Sequence, residues 1–206
     1  MKRIASAYVR VIDRVNYRIG RVMMYGIFVM MGILLWSSIS KTFFLPSIWT
    51  LEVAQFALVA YYLLGGPYSI QLGANVRMDL FYGEWTTRRK AQVDAMTVLF
   101  LIIYLGVLLY GALDSTSYSF GYFGGNFFAF YGELIGGILK DIITLKFNNI
   151  STTFGEVTGH LERSSTAWRP LLWPLKVAMI IGFFLMLLQA ISELIKDIAT
   201  IKGVTL

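Results

Sequence analysis

The sequence predicts an all-α integral membrane protein with four transmembrane helices and both termini cytoplasmic. Three observations carry that expectation. Of 206 residues, 57% are hydrophobic and 16% aromatic, whereas only 15% are charged. Mean hydropathy is positive, at +0.65. A soluble domain of this length carries more charge, so composition alone places the chain in the membrane class. At about 20 residues per crossing, four or five spans with their loops use the whole length, and no separate soluble domain fits.

The elements follow in order. Residues 1–21 hold Lys2, Arg3, Arg10, Arg14, Arg18 and Arg21 against a single acid, Asp13. Ile4, Tyr8, Val11, Ile12, Val15 and Ile19 recur at three- and four-residue spacing, which predicts a basic amphipathic interfacial helix. A cleaved signal peptide fits less well, because the basic stretch is long and no small-residue cleavage pattern follows the apolar run. Spans are expected over 22–44, 49–73, 95–113 and 170–192. The third is the cleanest, with 19 residues and no charge. Gly65-Gly66-Pro67 inside the second predicts a kink, or an unwound segment of the kind that binds ligands in transporters.

Charge placement orients the spans. The arm has six basic residues, and the link between spans two and three has Arg77, Arg88, Arg89 and Lys90. The link between spans one and two offers only Lys41, and residues 114–169 hold four basic residues against five acids. Basic flanks stay cytoplasmic, so 114–169 is expected to face outward and the tail with Lys196 and Lys202 inward. Within 114–169, residues 127–147 tempt a fifth crossing. Glu133, Lys140 and Asp141 argue against it, at about 2.5–3.5 kcal/mol for each charge at mid-bilayer. The segment reads instead as an amphipathic helix on the outer surface or on a partner.

Little in the sequence resembles a reaction centre. Cysteine is absent, the single histidine, His160, lies in the outward segment, and no cluster of metal-ligand residues or phosphate-cradling glycine loop occurs. Catalytic, cofactor and metal sites are therefore not expected, and nucleic acid is not an expected partner, since the basic residues flank apolar runs beside lipid headgroups. Glu52 and Gln55, three apart, are expected to share a face of span two. Glu52 reads either as a dipole-stabilised structural carboxylate or as an ion-coupling acid. The glycine pair 132 and 136 has small-xxx-small spacing. Arg14, Arg18, Arg21, Arg88, Arg89, Lys90 and Trp173 are expected at the lipid interface, and Lys176 can snorkel from span four.

These motifs together resemble the small membrane subunit (Q-type small permease) of TRAP transporters, the tripartite ATP-independent periplasmic systems of bacteria and archaea. The stretch from Trp49 and Glu52 through Gly65-Gly66 to Asn75-Val76-Arg77-Met78-Asp79 is similar to the family's Glu-containing helix and its His-hydrophobic-Arg-hydrophobic-Asp ending. Asn75 stands where the family has His. Arg88, Arg89 and Asp94 resemble the polar start of its third span. Ser164-Ser165-Thr166-Ala167-Trp168-Arg169-Pro170, Trp173-Pro174-Leu175-Lys176 and Gln189 resemble its longer-loop branch.

The resemblance implies a scaffold and membrane brace for a large transport subunit in a sodium-coupled importer of organic acids in the inner membrane. A periplasmic substrate-binding protein would be the third partner. It makes Glu52, Gln55, Arg77, Asp79, Ser164, Ser165, Trp168, Pro170 and Lys176 candidate subunit contacts, and gives the long segment 117–162 a place in binding-protein docking or assembly. A self-contained small transporter with Glu52 as coupling acid, or the membrane anchor of a redox complex, are the other readings.

Overall fold

A computed structural model describes residues 2–73, 85–144, 155 and 158–203. Its helices are α1 (Lys2–Met24), α2 (Gly26–Phe43), α3 (Thr50–Gln71), α4 (Thr87–Ser119), α5 (Phe127–Ile143) and α6 (Trp173–Ile201). Four stretches are long and apolar enough to cross a membrane: Arg3–Phe43, Thr50–Gln71, Thr87–Ser119 and Trp173–Ile201. No β-strand occurs among the described residues; Arg163 and Leu171 form only an isolated antiparallel bridge. The all-α membrane class follows directly from these helices.

Helix ends depart from the hydropathy boundaries in both directions. The basic arm and the first span meet at Tyr25, where Tyr25 N donates to Val22 O and Phe28 N to Tyr25 O, both at 3.1 Å. These tight three-residue bonds interrupt the helix for one residue without turning the chain into a loop. Helix α4 has 33 residues, roughly 50 Å of rise against a hydrocarbon core of about 30 Å, so it projects beyond the apolar run. Helix α6 begins at Trp173, because Pro170 and Leu171 are engaged in the preceding turn: Ser164 N donates to Pro170 O at 2.9 Å. Pro174 then sits in the first turn, where a missing N–H leaves no helical bond unmade.

The chain divides into two compact units, residues 1–109 with 178–206, and residues 110–177. In the first unit, α2 and α3 form a hairpin, and α1 packs along the C-terminal part of α3. Glycines set the approach. Gly20 lies directly against Tyr68, with no room for a side chain, and Gly66 faces Met186, whose sulfur would be 2.7 Å from an added Cβ.

Helix α3 stays helical through Gly65-Gly66-Pro67, with Pro67 buried. Proline has no N–H for the carbonyl of Leu63, four residues earlier. That carbonyl meets Gly182 of α6 instead: a Cβ on Gly182 would stand 2.9 Å from Leu63 O and 2.7 Å from Leu63 Cβ. The glycine therefore presents its Cα–H to the oxygen, the weak bond that close helix packing in membranes favours. No unwound segment forms there.

The second unit is built around aromatic rings. Phe120, Phe130 and Leu134 form its buried centre, with Tyr122, Tyr131, Ile138, Leu161, Trp173 and Val177 packed around them. Phe120 stacks on Phe130 at 5.9 Å between centroids, and Trp173 lies 5.9 Å from Phe120 on the other side. Helix α5 turns Phe127, Phe130, Leu134 and Asp141 inward. A second face carries exposed Phe128, Ile135, Leu139 and Ile142, and Glu133 and Lys140 are exposed on a third. Residues 145–147, the end of the apolar segment read from the sequence, lie outside the described residues.

Candidate functional site

Polar side chains of the described helices gather in clusters, three of which are defined by hydrogen bonds. The first gathers α1, the end of α3 and the C-terminal half of α6. Asp13 Oδ1 accepts from Gln189 Nε2 at 3.0 Å and from Ser192 Oγ at 3.2 Å. Asp13 Oδ2 pairs with Lys196 Nζ at 2.8 Å, and Lys196 also reaches Glu193 at 2.8 Å. Asn16 Nδ2 donates to Gln189 Oε1 at 2.7 Å, Gln71 Nε2 to the Asp13 carbonyl at 3.2 Å, and Tyr8 Oη to the Leu188 carbonyl at 3.1 Å. Gln189 and Ser192 are fully buried and Asn16 nearly so.

This cluster explains the orientation of α1. Its inward face is Val9, Asp13, Asn16 and Gly20, while Ile4, Val11 and Val15 of the apolar stripe are exposed. Arg14, Arg18 and Arg21 are exposed on a third face. The helix thus offers protein, hydrocarbon and headgroup contacts from separate sides, the pattern an interfacial helix requires. Of this constellation the sequence reading named Asp13 only as the lone acid of the arm, and Gln189 only through the family resemblance. The available signal was a polar stripe at Gln189, Ser192, Glu193 and Lys196, one face of an otherwise apolar span.

The second cluster holds the α2–α3 turn. Ser40 Oγ and Ser47 Oγ are 3.1 Å apart, Ser47 Oγ and Thr50 Oγ1 2.8 Å, and Thr50 Oγ1 donates to Ser37 Oγ at 3.2 Å. Thr50 and Ser40 are buried. Beside them Trp36, Ser40, Phe44, Leu45, Ser47 and Trp49 line an open apolar hollow of about 710 Å³. Glu52, one turn into α3, is 5% exposed, and its Oε2 has no hydrogen-bond partner. Gln55 is exposed. Three residues of helix leave the two side chains about 60° apart, enough here to put one inside and one outside the contact face.

The third cluster lies in the second unit. Glu162 Oε2 pairs with Lys176 Nζ at 2.7 Å and accepts from Ser119 Oγ; Lys176 Nζ also donates to the Ser115 carbonyl at 3.0 Å. Backbone bonds fold the segment back along the end of α4: Gly159 N to Phe120 O at 2.7 Å and Glu162 N to Ser119 O at 3.0 Å. The hydrogen bond from Lys176, followed by that from Ser119, holds the Glu162 carboxyl below its ordinary range.

A depressed carboxylate stabilises the folded unit fully above its unfolded value, near 4.3, and loses that contribution as pH falls through the lower folded value. Acidification should therefore increase amide hydrogen exchange across residues 159–172. Glu162→Gln should remove this extra acid sensitivity and cost about 1 kcal/mol or less at neutral pH, because the pair is partly exposed. An unchanged acid profile in the variant would show that another group sets the response.

The remaining expected site residues are dispersed. Ser165 and Trp168 are exposed on the 164–170 turn, Ser164 Oγ is 2.9 Å from Thr166 Oγ1, and Arg169 has φ +50°. Trp173, expected at the lipid interface, is partly buried against Phe120. Arg88 and Arg89 are exposed at the start of α4, and Lys90 is partly covered. Arg77, Asp79 and the rest of that motif lie outside the described residues. Among the described residues, no group of His, Asp and Glu is arranged to hold a metal ion.

Helices, apolar surfaces and interhelical hydrogen bonds define an all-α multi-pass membrane protein. Residues 30–130 match the family model described as Tripartite ATP-independent periplasmic transporters, DctQ component. The chain belongs to that family: it is the small membrane component of a TRAP transporter, not an enzyme. The match runs from α2 into the first turn of α5, so the 164–176 motif and α6 lie beyond it. No curated protein and no solved structure matches the chain.

Proposed function

We propose that the chain is the scaffold and membrane brace of the importer's large transport subunit, which moves sodium and small organic acids in a bacterial or archaeal inner membrane. In this reading both termini are cytoplasmic, residues 114–169 face the periplasm, and a soluble binding protein delivers substrate there. The carrying observation is how the spans use their polar groups. In the described clusters they mainly bond neighbouring helices or nearby backbone, while the apolar faces remain largely uncovered. None of the most apolar stretch of the first span is buried, and only 22% of that of α6. Lipid or another membrane protein must cover such surfaces.

The arm, the end of α3 and the end of α6 meet in one hydrogen-bonded cluster, which supports placing both termini on one side. Exposed Gln55, Ser165 and Trp168 are then better contact points than Glu52 or Lys176, which lie within their own units. A second reading, a self-contained transporter with Glu52 as coupling acid, draws on the unpartnered oxygen of that buried carboxylate. Reconstitution in vesicles separates the two. A brace gives no uptake alone and supports uptake with the large subunit, a binding protein and a sodium gradient. Uptake by the chain alone that Glu52→Gln abolishes would instead establish the second reading.

A further inference from the structure

Between α1 and α3 lies a cavity of about 400 Å³, lined by Gly20, Met23, Tyr61, Tyr62, Gly65 and Tyr68 among others. Its floor is open because Gly65 has nothing within 4 Å of where a side chain would start. Its walls are methionine thioethers and tyrosine rings, Tyr61 and Tyr62 standing edge to face at 5.4 Å. The size is that of a small-molecule site. It is also roughly the volume of one helical turn, too little to seat a spanning helix but suited to a hydrocarbon chain lying lengthwise.

One wall continues to a cation. Tyr68 meets Tyr17 edge to face at 5.7 Å, and the Tyr17 hydroxyl accepts from Arg21 Nε at 3.1 Å and Nη2 at 2.8 Å. Arg21 is exposed, with Arg14 and Arg18 on the same side of α1, and no described carboxylate pairs with it. A guanidinium already oriented by a phenol is prepared to bind phosphate oxygens in the same plane.

The geometry points to a bound phospholipid: its phosphate on Arg21, with Arg14 and Arg18 adding positive charge, and one acyl chain in the cavity. Apolar lining and basic rim together select a ligand that is both anionic and hydrocarbon, and α1 holds both parts. The site rests on the chain's insertion in a bilayer and is independent of whether it braces a larger subunit.

The test uses the full chain in nanodiscs containing phosphatidylglycerol with a photoactivatable group on one acyl chain, with cross-links mapped by peptide mass spectrometry. Labelling should concentrate on residues 20–24 and 61–69. Gly65→Leu, whose Cβ would have no other protein atom within 4 Å, should lower it several-fold while exposed Ile103 and Val107 of α4 label as before. Arg21→Gln, a surface change that leaves the fold alone, should lower it too, and inorganic phosphate should not compete. Labelling of these segments no higher than at α4, labelling unmoved by either substitution, or displacement by free phosphate would each overturn the proposal.

Discussion

Replacing Gly182 by valine should markedly lower the thermal stability of the detergent-solubilised chain. The new Cβ would stand 2.7 Å from Leu63 Cβ, 2.9 Å from its carbonyl oxygen and 3.0 Å from its carbonyl carbon. Backbone cannot rotate away as a flexible side chain can, so α3 and α6 must separate. Overpacking of this kind costs about 1–3 kcal/mol. A further 0.5–1 kcal/mol, roughly, goes with the lost Cα–H contact to a carbonyl that Pro67 leaves without its helical donor. Gly182→Ala should show a smaller drop of the same sign. Gly32→Ala is the control, because nothing lies within 4 Å of its added carbon, and it should be neutral or slightly stabilising. Equal melting temperatures for the two alanine variants would remove the close contact from the account.

The second large effect is expected at Asp13. Asp13→Ala deletes the acceptor for Ser192, one of two acceptors for Gln189, whose Nε2 also donates to Glu193 at 2.9 Å, and one of two carboxylates around Lys196. Membrane helix hydrogen bonds average about 0.6 kcal/mol each, and buried groups left unpaired add about 1–3 kcal/mol, so a loss near 2 kcal/mol is expected. Gln189→Ala should cost a similar amount, since it strands Asn16 as well. The double variant should be clearly less destabilised than the sum of the two, as for any pair in one network. Strict additivity, read from unfolding midpoints, would mean that α1 and α6 are held together by something else.

Hydropathy was sufficient for the four spans because lipid leaves a chain few other options: an apolar run of that length can satisfy its backbone only as a helix. Helix ends were less legible. Thr87 to Asp94 and Glu193 to Ile201 continue α4 and α6 through sequence that carries several charges, where hydropathy no longer marks the helix. The kink expected at Gly65-Gly66-Pro67 is a question of one carbonyl, and what receives that carbonyl is a glycine more than a hundred residues away.

The same distance hid the cluster at Asp13. Periodicity along α1 reveals the apolar stripe, yet Ile4, Val11 and Val15 of that stripe turn away from protein, and the partners of Asp13 lie 176 and 179 residues further on. Local spacing puts Glu52 and Gln55 within about 60° of each other on α3 but leaves their burial open, since that depends on where the neighbouring helix edge falls. The resemblance to TRAP small subunits rested partly on residues 75–79, which lie outside the described structure, and on 164–176, beyond the matched region. The family match covers residues 30–130, which take in most of α2 and all of α3 and α4.

The brace reading unites these features. Interhelical hydrogen bonds tie the helices together within each unit, the basic arm of α1 suits a headgroup layer, and broad apolar faces remain exposed. Sodium-driven uptake in proteoliposomes, measured for the chain alone, for the large subunit alone and for both with a binding protein, tests that claim most directly. The account predicts uptake only with both membrane components present. Gly182→Val and Asp13→Ala should reduce uptake by weakening assembly, without altering substrate affinity. Sodium-driven uptake by the chain alone would contradict it.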